Sequence, residues 1–523
     1  MSLTKIVCTM GPAVESPERI RALLDAGMTT ARLNFSHGTA EGKRKIAGEL
    51  RRIAKEEQKN LAIMGDLQGP KIRIGKLPEE GVFLEKGEEI LISAEATEFE
   101  ARRDSPVIPF PHPEIVKTVA NGASLLLDDG NLELEVIESA PPLLRCRVII
   151  GGVLTSNKGV NLPGVELDIS ALTEKDKIDA ALAVELGLDY LALSFVRSSK
   201  DIEELKRCLV DISRDIGEDG GALAERERTP GENPHGLPSI VAKIEKPEAL
   251  DDLEGIVLAA DAVMVARGDL GVEISPEQVP MAQKRIIRWA NKIGKPVITA
   301  TQMLQSMIDS PRPTRAEASD VANAILDGSD AVMLSGETSV GSYPVEATAF
   351  MEKIARQMEE SAAFPYNQLM DIEDLHRGEF QSGESQADEA MISEAVSRVT
   401  VDISEQCLAA AIITSTESGR TARTVARHRP RCPLLVVTPF EETARRMQLI
   451  WGVHPFVVEP FATTDKMIGM MVRSSADAGF AGVGDRIVLT AGIPFEVHGV
   501  TNMLKVHTIR REEVDTVPGL SGQ

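Results

Sequence analysis

Apolar runs of four to six residues recur along the chain, each passing into polar or charged residues and alternating with longer amphipathic stretches. Buried parallel strands have this pattern when the loops at one end carry chemistry. The first run is Lys5 to Cys8, and Ser16-Pro17 then supplies an N-cap and N1 proline for a helix that Gly27 stops. A second strand is expected at Thr30 to Phe35, with a helix from Thr39 to Gln58, and a third at Leu61 to Gly65, ending at Asp66. The pattern then changes to short alternating runs: Val82 to Leu84, Glu89 to Ile92, Ser124 to Leu127, Leu132 to Val136 and Leu144 to Ile149. These predict a small all-β module inserted into the repeat, which resumes near Asn161. Thr173 with Asp176 reads as a capping box opening a helix to Gly187; Tyr190 to Phe195 is the fourth strand, followed by a helix to Ile212. Ser213 to Pro238, rich in Gly, Glu, Arg and Pro, reads as an exposed insertion.

Strands five to eight fall at Ile240 to Glu245, Ala262 to Ala266, Pro296 to Thr301 and Ala331 to Ser335, with helices near Pro276 to Lys292, Arg315 to Leu326 and Pro344 to Ser361. Eight strand-helix units predict an α/β fold closed as a (β/α)8 barrel. Asp371 to Glu389 reads as a linker. Beyond it, strands at Ala409 to Thr414, Leu434 to Val437, Phe456 to Val458 and Arg486 to Leu489 alternate with helices, predicting an open-sheet α/β domain before a loose tail of about a dozen residues. The expected units are 1–69 with 159–365 for the barrel, 70–158 for an inserted small β-barrel acting as a lid, and 385–510 for the C-terminal domain.

Composition narrows the function classes. A net charge of -23 argues against nucleic acid or an anionic membrane surface as partner. With 43 % hydrophobic but only 3 % aromatic residues, the core should be Val, Ile, Leu, Ala and Met. Five scattered cysteines without a CxxC pair indicate neither a disulfide framework nor a zinc site. No signal-type apolar region or 18-residue apolar segment is found, so a soluble cytoplasmic protein is expected.

In such a barrel the site forms at the C-terminal ends of the strands. Strand two gives Arg32, Asn34 and Ser36 with His37 beyond; strand three gives Asp66, five Lys243 and Glu245, six Asp269, seven Thr299 and Thr301, and eight Ser335 and Glu337. With neighbouring strands about 4.8 Å apart, Glu245 and Asp269 converge on one ion with Lys243 beside them. Oxygen ligands without His or Cys favour Mg2+ or Mn2+ over zinc. A Lys-Glu pair capping a strand is the plainer alternative, as are a core amide for Asn34 and a turn residue for His37. Arg32, Arg73, Lys158 and Lys243 gather cations near strand ends and insertion hinges, which suits a multiply anionic substrate bridged by a metal and, with it, phosphoryl transfer. No GxxxxGK[ST] loop occurs, so a nucleotide would lie between barrel mouth and inserted module, which can close over it.

The runs KIVCTMGPA at 5, ARLNFSHG at 31, DLQGPKIRIG at 66, KGVNLPG at 158, AKIEKPEAL at 242, VMVARGDLGVE at 263, ATQMLQSM at 300, PRPTRAEASDVANAILDGSDAVMLSGET at 311 and TAGIPFEVHGVTN at 490 resemble the pyruvate kinase family. The resemblance implies a TIM barrel with an inserted β domain and an allosteric C-terminal domain, and transfer of phosphoryl from phosphoenolpyruvate to ADP, giving ATP and pyruvate. It implies Glu245 and Asp269 as Mg2+ ligands, Lys243 as the cation on the transferring phosphoryl and enolate oxygens, and Thr301 on the protonation path, donating directly or holding a relay water. Arg32 and the Gly268 backbone would bind phosphoenolpyruvate, with Lys243, Asp269 and Thr301 also lining its site; Asn34, His37, Arg73 and Lys158 would meet nucleotide phosphates.

Family members that require K+ hold it with residues matching Asn34, Ser36, Asp66 and a Thr at position 67, and carry a Glu at position 71; here stand Leu67 and Lys71. A fixed ammonium at Lys71 would replace the ion, predicting K+-independent activity; the alternative is a solvent-facing Lys71 and a retained K+ requirement. In the C-terminal domain, Thr414 to Thr421 (TSTESGRT) reads either as a phosphate nest for a phosphorylated effector, using Thr414, Thr416, Ser418, Gly419 and Thr421, or as an ordinary helix N-cap at Ser418. The loop with Phe495, Glu496, Val497 and His498 is bulkier than the Gly-rich loops associated with fructose 1,6-bisphosphate, leaving the effector open. The family implies a homotetramer. Two rival classes remain: an Mg2+-dependent aldolase or lyase of the pyruvate-enolate barrels, which needs no ADP, and a non-catalytic metabolite sensor.

Overall fold

In the computed structural model, residues 2–102, 105–165, 169–220, 236–366, 384–461, 463–493 and 501–515 are described. Eight parallel strands close into a barrel: Lys5–Thr9, Thr30–Asn34, Ala62–Asp66, Tyr190–Leu193, Ser239–Ile244, Ala262–Ala266, Val297–Ala300 and Ala331–Leu334. In space each neighbours the next in sequence, and Lys5 of the first pairs with Ala331 of the eighth. Strand periodicity divides their side chains between two cores. Ile6, Cys8, Leu33, Ile63, Leu191, Ile244, Val263 and Val332 face the helices. Val7, Met64, Ala192, Val241, Met264, Ile298 and Met333 fill the barrel interior. Small and medium-sized aliphatic residues and Met fill this narrow interior, in keeping with a core so poor in aromatics.

Sequence caps fix the helices around this barrel. Ser16 caps Pro17–Ala26, and left-handed Gly27 ends it with its N–H on the Leu23 and Leu24 carbonyls. The expected capping box of Thr173 and Asp176 opens Glu174–Glu185, and a second, Thr314 with Glu317, opens Arg315–Leu326.

Between barrel strands three and four the chain builds a six-stranded sheet, with a two-stranded ribbon of Val82–Leu84 against Gly152–Leu154. Its own core contains Ile90, Phe110, Leu134 and Val148. The two chain crossings run side by side: Ile74 N–H donates to Lys158 O, and Val160 N–H to Ile72 O.

The C-terminal sheet has the order Val453–Val457, Leu434–Thr438, Ala411–Ser415, Arg486–Ala491 and Met503–Thr508, the last antiparallel. Several boundaries differ from expectation. Val453–Val457 starts earlier than Phe456 because it is an edge strand, where Pro455 leaves no ladder bond wanting. Met503–Thr508 is a fifth strand beyond the four that the pattern predicts, because its adjacent exposed Lys505 and Val506 lack the alternation of a half-buried strand. Ser199–Gly220 runs on through the start of the expected insertion, of which 221–235 lies outside the described residues. Residues 384–389, assigned to the linker, begin the helix Glu384–Gln406, and the expected tail starts with a short helix, Arg511–Asp515.

The C-terminal unit meets the barrel floor through a buried polar cluster. Arg429, 1 % exposed, donates to Asp330 Oδ1 at 3.1 Å, Asn291 Oδ1 at 3.2 Å and Gly328 O at 2.6 Å, and its guanidinium lies 4.9 Å from the Trp451 ring centroid. Lys5 reaches back from the first strand to donate to Val453 O at 2.6 Å.

Candidate active site

The inward side of strands one to five continues past the apolar interior into Thr9, Arg32, Asp66, Ser194 and Lys243, one residue per strand. These five form one network. Arg32 Nε lies 2.7 Å from Asp66 Oδ2, and its Nη1 donates to Thr9 Oγ1 at 3.0 Å. Lys243 Nζ lies 3.3 Å from Asp66 Oδ1, 2.8 Å from Glu245 Oε1, and donates to Ser194 Oγ at 2.7 Å. Lys243 and Glu245 therefore share a side, as their spacing of two requires.

Charge density sets the protonation states. Burial opposes the Lys243 ammonium, but Asp66, Glu245 and Asp269 outweigh it and hold its pKa above the ordinary lysine range. Burial likewise opposes ionised Asp66, yet Lys243 and Arg32 keep it below the usual carboxylate range. Glu245 is pushed the other way: burial raises it, and nearby Asp269 adds to the rise against the pull of Lys243.

The metal expectation can be tested on these atoms. Glu245 Oε2 accepts from Phe195 N–H at 2.7 Å, whereas buried Oε1 has an ion pair but no hydrogen bond. Asp269 is half-buried and makes no side-chain hydrogen bond or ion pair among the described residues. A buried carboxylate oxygen whose one neighbour is the Lys243 ammonium, and a second, uncommitted carboxylate that repels it, fit a hard divalent cation. No cluster of three or more His, Cys, Asp or Glu occurs among the described residues, so remaining ligands would come from substrate and water.

Strand six ends at Ala266, and Arg267, Gly268 and Asp269 open the helix Arg267–Glu273 instead of extending the strand. Gly268 N–H donates to Thr301 Oγ1 at 2.7 Å, and the same hydroxyl donates to Ala300 O. Thr301 and Gln302 both have positive φ, 66° and 55°. For a β-branched residue this is strain that the surroundings must impose. Arg267 supplies the restraint, donating to Thr301 O at 2.8 Å and Ala300 O at 3.3 Å while paired with Asp320 at 2.7 Å.

Other expected residues stand apart from this network. Asn34 Oδ1 accepts from Ser36 N–H, His37 is exposed, and Thr299 is buried on the helix side against Ser329. Arg73 donates to Asn157 O at 2.6 Å, and Lys158 pairs with Asp128 at 2.5 Å, both within the hinge region. Leu67 is 1 % exposed, while Lys71 is exposed on the wall of a cleft also lined by Asn161, Phe195, Lys246 and Asp269. Sequence reasoning missed Phe195, Arg267 and Ser194 as parts of the site. A polar residue two positions beyond an inward Ala192 was the available signal for Ser194.

In the C-terminal unit, Thr416 Oγ1 accepts from Gly419 N–H at 2.9 Å, and Thr421 shares a 2.9 Å hydroxyl contact with Thr501. Ser418 Oγ accepts from Arg420 N–H at 3.4 Å, and buried Thr414 Oγ1 lacks a hydrogen bond. The helix Arg420–Ala426 is N-capped by left-handed Gly419, not by Ser418. Residues 494–500, with Phe495 to His498, lie outside the described residues.

Comparison with known proteins agrees with this architecture. A family model described as "Pyruvate kinase, barrel domain" matches residues 1–217 and 228–348, and one described as "Pyruvate kinase, alpha/beta domain" matches residues 394–507. The chain is 42 % identical to pyruvate kinase 2 of Synechocystis sp. over 511 residues, 97 % of this chain and 79 % of the relative. It is 41 % identical to pyruvate kinase of Staphylococcus aureus strain MRSA252 over 517 residues, 98 % of this chain and 81 % of the relative. The chain belongs to the pyruvate kinase family.

Proposed function

We propose that the network around Lys243 transfers a phosphoryl group from phosphoenolpyruvate to ADP. The chain is a phosphotransferase of a Mg2+-dependent family. The observation that carries the assignment of residues is the single connected set Thr9, Arg32, Asp66, Lys243 and Glu245 at the barrel mouth. Asp66 pins two cations close together, so that both point their charge where an anionic phosphoryl group would sit. Lys243, held ionised, stabilises charge on phosphoryl and enolate oxygens, and Arg32 orients the phosphate. Glu245 and Asp269 would hold Mg2+ or Mn2+, which would supply positive charge to offset that on the transferring phosphoryl group. Gly268 N–H, now on Thr301 Oγ1, is a further donor for phosphoenolpyruvate. The Thr301 hydroxyl stands on the path of enolate protonation, donating a proton or holding the water that does. ADP would take Lys158 from Asp128 and Arg73 from Asn157 O, with Asn34 and His37 at the same phosphates.

Leu67, which offers no hydroxyl to a monovalent ion, supports activity without K+; Lys71 is exposed on the cleft wall, so its ammonium would have to turn inward to take the place of the ion. The units 70–158 and 385–510 act in this reading as lid and regulatory domain, with Thr414 to Thr421 as the seat of a phosphorylated effector in a cytoplasmic homotetramer. Among the described residues no helix is long and apolar enough to cross a membrane.

The test is the initial rate of phosphoenolpyruvate consumption with ADP and Mg2+ in tetramethylammonium buffer, with and without K+. ADP-dependent turnover that changes little with K+ is expected. A rise of about tenfold or more on adding K+ sinks the Lys71 reading. Consumption without ADP points to a lyase, and no turnover with any effector to a sensor.

A further inference from the structure

Glu273 ends the helix that carries Asp269, and its side chain is 3 % exposed. One oxygen, Oε1, takes two donors from different parts of the chain: Lys246 Nζ at 2.5 Å and Asn161 Nδ2 at 2.7 Å. Lys246 directly follows Glu245, and its ammonium lies 5.8 Å from the ring centroid of Phe195, whose N–H holds Glu245. Asn161 belongs to the inserted sheet, paired with Leu126, and lies beside the second chain crossing. The Asp128–Gly130 turn comes close to the same helix, since a Cβ at Gly130 would stand 4.0 Å from Val272 Cγ1.

We propose that Glu273 is a positioning residue: a joint that seats the inserted sheet against the loop carrying Glu245, and so sets where Arg73 and Lys158 stand relative to the phosphoryl site. A buried carboxylate bonded to a lysine and an amide at once is lost only at the expense of both partners. The kinetic consequence rests on the reading above that Arg73 and Lys158 meet the nucleotide; the joint itself does not.

The full chain carrying Glu273→Ala, Glu273→Gln, Asn161→Ala or the Ala/Ala pair separates these. Glu273→Ala and Asn161→Ala are each expected to speed amide hydrogen exchange at residues 158–162 and to raise KM for ADP about tenfold, with KM for phosphoenolpyruvate changed by less than about twofold. The double variant should be no worse than the worse single, and Glu273→Gln, which keeps an acceptor for Asn161, should keep the exchange protection. Unchanged exchange in both singles, or effects that multiply in the double, overturn the joint. Arg73→Ala checks the nucleotide reading separately: if it leaves KM for ADP unchanged, that reading fails while the exchange result still decides the joint.

Discussion

Lys243 and Lys5 show the same side chain put to opposite uses by its neighbours. Lys243 has three carboxylates around it and stays charged despite burial. Replacing it with Met removes that charge at the reacting oxygens, and kcat should fall by about 10²–10³-fold or more; a loss smaller than tenfold in steady-state assays would remove it from the mechanism. Lys5, 4 % exposed, is lowered by burial to about 8, with Glu359 only partly compensating. Between about pH 8 and the ordinary lysine value the unfolded chain binds this proton and the folded chain does not, so the Lys5 contribution to stability rises with pH through that window. Denaturation of wild type and Lys5→Met from pH 7 to 10.5 should show the difference shifting toward wild type by up to about 3 kcal/mol. A flat difference would mean that the ammonium escapes burial. Such residues were only half legible. Lys243 and Glu245 could be placed together by a period of two, but nothing local to KIVC marks Lys5 as buried, because its surroundings come from Glu359 and Val453.

At the scale of elements, the barrel could be read because each strand is a continuous apolar run with a polar end, and the helices because their caps are written in single residues. What could not be read is where an element stops when tertiary contacts decide it. The turn at Thr301 is held left-handed by Arg267, 34 residues away in sequence, and strand periodicity alone would carry strand seven straight on. Thr299 fails for the same reason: its spacing of two from Thr301 implies a shared face, but the turn breaks the alternation and leaves Thr299 against Ser329. Arg267→Ala should therefore slow turnover without altering the Thr301 hydroxyl itself, and Arg267→Lys should restore little, since one ammonium cannot reproduce a forked contact to two carbonyls and a carboxylate. The checks are kcat for both variants against an unchanged far-ultraviolet dichroism spectrum. Gly419 makes a second element-level case, with φ of 85° and the Met447 side chain packed where a Cβ would be. Gly419→Ala should destabilise the C-terminal unit by about 1–2 kcal/mol, seen in its thermal midpoint.

Across the whole molecule, the contact of Arg429 with Asp330, Asn291 and Gly328 joins segments about 100 residues or more apart in sequence, which no local pattern could announce. Arg429→Ala would leave Asp330 buried with less compensation, and a loss of about 3–5 kcal/mol is expected, with calorimetry resolving separate transitions for barrel and C-terminal unit where wild type shows tighter coupling. A single unchanged transition would show that the seam is held elsewhere. The inserted sheet bears on the order of folding as well. Barrel strands three and four pair Met64 with Tyr190, so their meeting closes a loop of all the chain between them. That chain contains a unit with its own apolar core and two adjacent crossings. Once it has condensed, the open loop between the strands shrinks to the short stretches outside the unit, and the entropy of closing the barrel falls accordingly. An insertion that collapsed first would thus bring the two halves of the barrel into pairing range.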